Sequence, residues 1–124
     1  MEEVQSAKEM QALTQPFLEK GFVFEYTYQK GGDSSCVYIY RYKKGKNYFD
    51  VREVSGGTEM TFVVFVNGEY LFPNLKKLYP KAYRAFAFKH LFRKATRGEM
   101  RAFITGLLNE HLKQNENDFF GIKL

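Results

Sequence analysis

The sequence predicts an α+β fold: an N-terminal helix, an antiparallel β-meander of four long strands plus a short fifth, then two C-terminal helices packed on the sheet. Three observations carry this prediction. Apolar residues recur at a three-to-four spacing near the N-terminus and again after Pro80, the period of an amphipathic helix. Between Phe22 and Phe72 the period drops to two, the alternation of a half-buried strand. Turn signals (Gly31-Gly32-Asp33-Ser34, Gly45-Lys46, Gly56-Gly57 and Asn67-Gly68) cut that stretch into hairpin-sized runs.

Residues 2–20 form the first helical pattern, with Val4, Ala7, Met10 and Leu13 in step and Phe17/Leu18 following. Pro16 breaks or kinks it about a turn before Gly21, a suitable residue just past a helix end. Phe22, Phe24, Tyr26 and Tyr28 then alternate with Val23, Glu25, Thr27 and Gln29. Strands follow from Cys36 to Tyr42, Tyr48 to Val54, Met60 to Val66 and Glu69 to Phe72. Pro73 ends the sheet, Asn74 to Tyr79 fits one helical turn, and Pro80 opens a helix expected to reach about Ala95. Thr96-Arg97-Gly98-Glu99 has the form of a capping box and opens the last helix. Its stripe is Met100, Phe103, Ile104, Leu107, Leu108, His111 and Leu112. The tail from Phe119 to Leu124 is too apolar to be solvated and is expected to dock, as an edge strand.

Counting outward from short turns sets the register, since a slip of one residue moves every side chain to the other face. Tyr42 then faces Phe49, Tyr40 faces Val51, Val51 faces Phe62, Val54 faces Glu59, and Val64 faces Leu71. One face collects Tyr38, Tyr40, Tyr42, Phe49, Val51, Met60, Phe62, Val64, Val66 and Leu71, a core face. The other mixes rings with charges: Arg41, Tyr48, Asp50, Arg52, Phe65, Tyr70 and Phe72 among them. Arg41 opposes Asp50, which reads as a cross-strand ion pair of about 0.2–1 kcal/mol, with an anion clamp as the alternative. The longer first turn leaves the face of Phe22 to Tyr28 open.

Composition excludes several chemistries. The 124 residues are 44% hydrophobic and 27% charged, enough for one domain with a core and unlike a disordered tail. One cysteine, Cys36, excludes an internal disulfide and any multi-cysteine metal site. No stretch is apolar enough to span a bilayer, and Met1-Glu2-Glu3 does not open a signal peptide; the expectation is a cytoplasmic protein with no transmembrane segment. The glycine pairs lack phosphate-loop spacing. His90 and His111 lie on different helices, with His111 in an apolar stripe as a hydrogen-bonded core residue and His90 on a solvated face. No nucleophile has a base within reach, and no carboxylates share a cleft. The expectation is therefore a non-enzymatic protein with neither metal nor cofactor.

Charge is the feature that points to a partner. Residues 1–72 hold 8 Lys and Arg against 10 Asp and Glu, whereas residues 73–124 hold 11 against 4. From Lys76 to Arg101 there are nine bases and one acid, Glu99. On a helical wheel Ala85, Phe88, Leu91, Phe92 and Ala95 form an apolar face, expected to close onto the sheet. Tyr83 and Phe86 fall among the cations. Cations interleaved with exposed rings suit a phosphate backbone with stackable bases. The predicted nucleic-acid surface is thus Lys81, Tyr83, Phe86, Lys89, Arg93, Lys94, Arg97 and Arg101. The alternative is a protein-interaction or homodimerisation module, using Tyr48, Phe65, Tyr70 and Phe72 or a sheet edge, with the basic helix meeting an acidic protein. Adsorption of the basic face to anionic lipid is a third, weaker reading.

The run Lys46-Asn47-Tyr48-Phe49-Asp50-Val51-Arg52-Glu53-Val54 is similar to the second strand of a PUR-type single-strand-binding repeat, and a meander followed by a helix resembles that repeat. The N-terminal and second C-terminal helices depart from it. The helix–strands–helix order also looks like a double-stranded-RNA-binding domain, with a different strand count and no matching basic cluster. Both resemblances imply nucleic acid as the partner.

Overall fold

A computed structural model of the chain describes residues 2–30, 36–54 and 60–124. The first helical stretch divides at Thr14 into α1 (Glu2–Leu13) and α2 (Gln15–Glu19). Pro16 stands in the first turn of α2, where a missing N–H costs nothing. Gly21 leaves the helix with φ +93, a conformation that L side chains rarely adopt. The buried Thr14 hydroxyl bonds the Met10 carbonyl and lies 2.9 Å from the Tyr42 hydroxyl, which ties the break to the sheet.

The sheet runs β1 (Val23–Lys30), β2 (Cys36–Lys44), β3 (Asn47–Val54), β4 (Met60–Val66) and β5 (Glu69–Leu71), each antiparallel to the next. Tyr42 pairs with Phe49, Tyr40 and Phe62 with Val51, and Val64 with Leu71, the register expected from the turns. The Val54–Glu59 pairing and the turns at 31–34 and 56–57 lie outside the described residues. The first hairpin sets Phe24 opposite Tyr42, Tyr26 opposite Tyr40 and Tyr28 opposite Tyr38, so the even residues of β1 join the core face. Phe49 is the hub of that core, with ring centroids 4.8 to 4.9 Å from those of Phe17, Tyr42 and Phe119.

After the sheet come α3 (Leu75–Leu78), α4 (Pro80–Lys89) and α5 (Arg97–Gln114). Asn74 caps α3 and the Thr96–Glu99 capping box opens α5 as predicted. On α5, Ile104, Leu107, Leu108 and Leu112 are buried against the first sheet face.

Two expectations about α4 are corrected. The helix ends at Lys89, not near Ala95, because His90 and Arg93 turn to bind Glu99 at the start of α5. Its buried face is also the opposite one. Phe86 stacks on Phe103 at 4.3 Å and Tyr83 meets the same ring edge-on at 4.9 Å, whereas Phe88, Leu91 and Phe92 are exposed. Tyr79, Ala82, Tyr83, Phe86 and His90 make a row as well spaced as the one expected, and α5 meets it through His111, Phe103 and Glu99.

The tail docks, but as a hairpin of its own rather than as an edge strand. It consists of β6 (Asp118–Phe119) and β7 (Ile122–Lys123). Phe120 turns it with φ 50, costing on the order of 1–2 kcal/mol for a side-chain-bearing residue. Its ring lies flat on His111, with centroids 4.1 Å apart and planes at 5°, which holds the strained residue in place.

His111 is the hydrogen-bonded core histidine the stripe predicted, with Nδ1 2.6 Å from the Tyr79 hydroxyl. Burial pushes the imidazole below its ordinary value, and nearby Asp118 offsets part of this. A histidine that resists its proton when folded makes the unfolded chain the better proton binder, so stability rises with pH. Its contribution is complete above the ordinary value of about 6.5 and is lost as pH falls from there toward the depressed value. Urea unfolding of wild type and His111→Gln at pH 7.5 and pH 5.5 should show the steeper loss in wild type. Equal losses in the two proteins would remove His111 as the cause.

Candidate functional site

The predicted basic surface divides into residues that face solvent and residues that hold the fold. Lys81, Lys89 and Lys94 are exposed, with no ion pair to any of them among the described residues. Tyr83 and Phe86 pack on Phe103 and are removed from the exposed rings. Arg97 reaches across the sheet, with Nη2 donating to the Val54 carbonyl at 3.1 Å and its guanidinium 5.8 Å from the Tyr38 ring centre.

Arg101 points inward. Its Nε and Nη2 donate to the two Glu53 oxygens at 3.0 and 2.9 Å, and Nη1 donates to Glu9 at 3.2 Å. The Tyr40 hydroxyl joins the network, 3.0 Å from Glu53 and 2.7 Å from Ser6. Burial pushes the Tyr40 phenol well above its ordinary value, although the Ser6 bond works against this, so the ring stays neutral. Sequence reasoning missed this pairing because Glu53 and Arg101 lie far apart in the chain.

Arg93 is exposed but forked onto Glu99, at 3.0 and 2.9 Å. The same carboxylate accepts from the Thr96 backbone N–H at 3.0 Å and lies 3.0 Å from His90 Nε2. The Arg93 hydrogen bonds, then the Thr96 N–H and His90, hold the Glu99 carboxyl well below the usual range. His90, expected on a solvated face, has a side chain only 6% exposed, with Nδ1 2.8 Å from the Phe86 carbonyl. Glu99 thus gathers the end of α4, the connecting loop and the start of α5.

What these commitments leave outside is a different set of rings. Phe88 is 76% exposed and Phe92 fully so, with Leu91 next to Phe92 in the chain and Leu78 at the end of α3 half or more exposed. Lys76, Lys77 and Arg84 are exposed too. Residues 70–98 contain no Asp or Glu, so no acid within the segment offsets these cations.

The second sheet face carries the alternative site, and its buried Ile39 and Val63 lie outside the core cluster that the helices join. Asp50 is fully buried on this face because two arginines cover it. Arg41 donates from Nε and Nη2 at 2.8 and 3.0 Å, and Arg52 donates from the same two atoms at 3.1 and 2.8 Å. The simple cross-strand pair of the sequence reading is therefore a triad. Arg41 also lies 4.0 Å over Tyr48, Tyr48 stacks on Phe65 at 5.0 Å, and Phe65 meets Tyr70 at 4.9 Å. Guanidinium and neighbouring ring both pack on Tyr48, which is half-buried between them and the sheet. Tyr70 and Phe72, 53% and 69% exposed, are the most accessible members of this set, with the Tyr70 hydroxyl 3.1 Å from that of Tyr48.

Glu25 and Glu53 are not brought together. Glu25 lies on the second face opposite Arg41, and Glu53 lies on the core face beside Tyr38 and Met60. A hollow of about 850 Å³ between α2 and α5 is bordered by Glu19, Glu110, Glu116, Lys20 and Lys113, none of them a predicted site residue. Among the described residues no three His, Cys, Asp or Glu side chains group closely enough to hold a metal ion, and no helix is long and apolar enough to cross a membrane. No protein-family model, curated protein or solved structure matches the chain.

Proposed function

We propose that the protein is a non-enzymatic binding domain for nucleic acid, contacting it through α3, α4 and the loop that follows. The observation that carries this reading is the segment from Tyr70 to Gly98. It has no acid, and Lys76, Lys77, Lys81, Arg84, Lys89 and Lys94 are exposed beside Phe88 and Phe92. Exposed cations without partners release counterions from a phosphate backbone, and exposed rings add stacking that tolerates any base. Binding rather than catalysis is supported by the engagement of Asp50, Glu53 and Glu99 with arginines, and by His111 lying packed against Phe120.

The test is a fluorescence-anisotropy titration of unrelated oligonucleotides across ionic strength. Wild type should bind with a steep salt dependence. Changing Lys81, Lys89 and Lys94 together to Gln should flatten the logarithmic salt slope by about 2, at roughly 0.7 per phosphate contact on a single strand. Absence of binding at low salt would sink the reading.

The exposure of Tyr70 and Leu71 on the short edge strand β5, and of Phe72 just after it, favours a second reading, self-association through that edge. A concentration-dependent dimer in sedimentation, insensitive to salt and lost in Tyr70→Lys, would support it; a monomer at all concentrations would remove it. An acidic protein that competes with oligonucleotide would point to the same basic surface with a different partner.

A further inference from the structure

The most exposed ring of the molecule is held in place from both sides. Leu91 and Phe92 are 62% and 101% exposed, and the residues flanking them, His90 and Arg93, both bind Glu99. His90 is fixed again from α4, through the Phe86 carbonyl at 2.8 Å and the Phe86 ring at 4.4 Å. The Thr96 backbone N–H, at 3.0 Å from the same carboxylate, closes the loop onto α5. One acid in a segment otherwise free of acids therefore organises an apolar pair that touches little of the fold. Folding alone would favour burying Leu91 and Phe92 or leaving their loop slack, because an exposed apolar pair contributes little and ordering it costs entropy.

We propose that Leu91–Phe92 is a wedge, positioned by Glu99, that inserts between neighbouring bases of a single-stranded nucleic acid lying across the α3–α4 cations. This rests on the nucleic-acid reading above and adds what the rings do in it. Lys89 and Lys94 flank the pair and are exposed, so a phosphate on either side of the inserted ring meets a cation. Phe88, four residues before Phe92 in the chain and 76% exposed, offers a second surface for the next base. A single strand presents open base faces to both rings, whereas a duplex must first unstack. The cations attract either form, and the wedge discriminates between them. Preorganisation matters because a ring already fixed loses less freedom on binding than one on a mobile loop.

Charge and positioning predict opposite signs for Glu99. If it were only a negative charge, removing it would tighten binding to a polyanion. If it positions the wedge, removing it weakens binding. Glu99→Gln is the informative change, because Gln can keep the capping-box bond to Thr96 while losing the charge that holds Arg93 and His90. The probe is a short single strand containing 2-aminopurine, whose emission rises when its neighbours are pulled away, with a duplex of the same sequence as comparison.

Wild type should bind the single strand more tightly than the duplex and raise the emission. Phe92→Ala, at a fully exposed position where folding is not at stake, should lose about tenfold in single-strand affinity, on the order of one base–ring stack. It should leave the emission flat and the salt slope unchanged. Glu99→Gln should fall in the same direction, with circular dichroism confirming that it is folded. Phe92→Ala binding like wild type, or Glu99→Gln binding more tightly, overturns the wedge and leaves the nucleic-acid reading standing. No binding by wild type at low salt overturns both.

Discussion

Replacing Arg101 by Met is expected to lower folding stability by about 3–5 kcal/mol, the cost of leaving one member of a buried ion pair alone. The Glu53 side chain is 3% exposed and the Arg101 side chain 12%. Arginine supplies three of the hydrogen bonds in the network, two to Glu53 and one to Glu9. Without them Glu53, its side chain almost wholly buried, keeps the Tyr40 hydroxyl among the described partners. A domain of this size is stable by roughly 5–15 kcal/mol in total, so the variant would melt on the order of 10–20 °C lower. The double variant Arg101→Met, Glu53→Met should recover most of the loss, since apolar side chains of similar volume often replace a buried pair at little cost. A double-mutant cycle by urea unfolding reads this directly. If the double variant is as unstable as the sum of the singles, the pair is not the source of the effect. Arg101 would then be a packing residue that happens to carry charge.

How far the sequence could be read depended on whether an element's partner lay nearby in the chain. The strands and their register were legible because two-residue turns and strict alternation fix each side chain relative to its neighbour; Tyr40, Val51 and Phe62 fall in one row with no further information. The Thr96–Glu99 box was legible for the same reason, since its donor and acceptor lie three residues apart. The buried face of α4 was not. Phe88 and Phe92 on one side, and Tyr83 and Phe86 on the other, have equal claims by spacing. The choice was made by the Phe103 ring on a helix that begins after the loop. Glu99 was read only as a cap, although the acid-free run before it was a sign that His90 and Arg93 would converge there. The candidate site therefore kept its lysines and exchanged its rings, Tyr83 and Phe86 giving way to Phe88 and Phe92.

Phe119→Ala should cost about 3–5 kcal/mol, while Phe92→Ala, the same substitution on a ring of equal size, should stay within about 0.5 kcal/mol of wild type. The difference lies wholly in packing. Phe119 is fully buried, with its ring centre 4.9 Å from those of Phe17 and Phe49 and 5.7 Å from that of His111. Truncating it opens a void between the sheet, α2 and α5 that no flexible neighbour fills, because Phe17, Phe49 and Phe62 are themselves locked edge-to-face. The tail also cannot hold itself. Its hairpin has two residues per strand, supported by the Gly121 N–H on Asp118 at 2.9 Å and the Leu124 N–H on the Asn117 carbonyl at 3.1 Å. An isolated hairpin is at best marginal in water, so Phe119 and Ile122 are the anchors that make it structure. Losing one anchor should release Phe120 from His111 as well, and with it the strained φ that their stacking sustains. Urea unfolding measures the stability loss, and limited proteolysis reads whether cleavage near Asn117 appears before the core opens. A Phe119→Ala protein within 1 kcal/mol of wild type would mean that the tail rests on the core without supporting it.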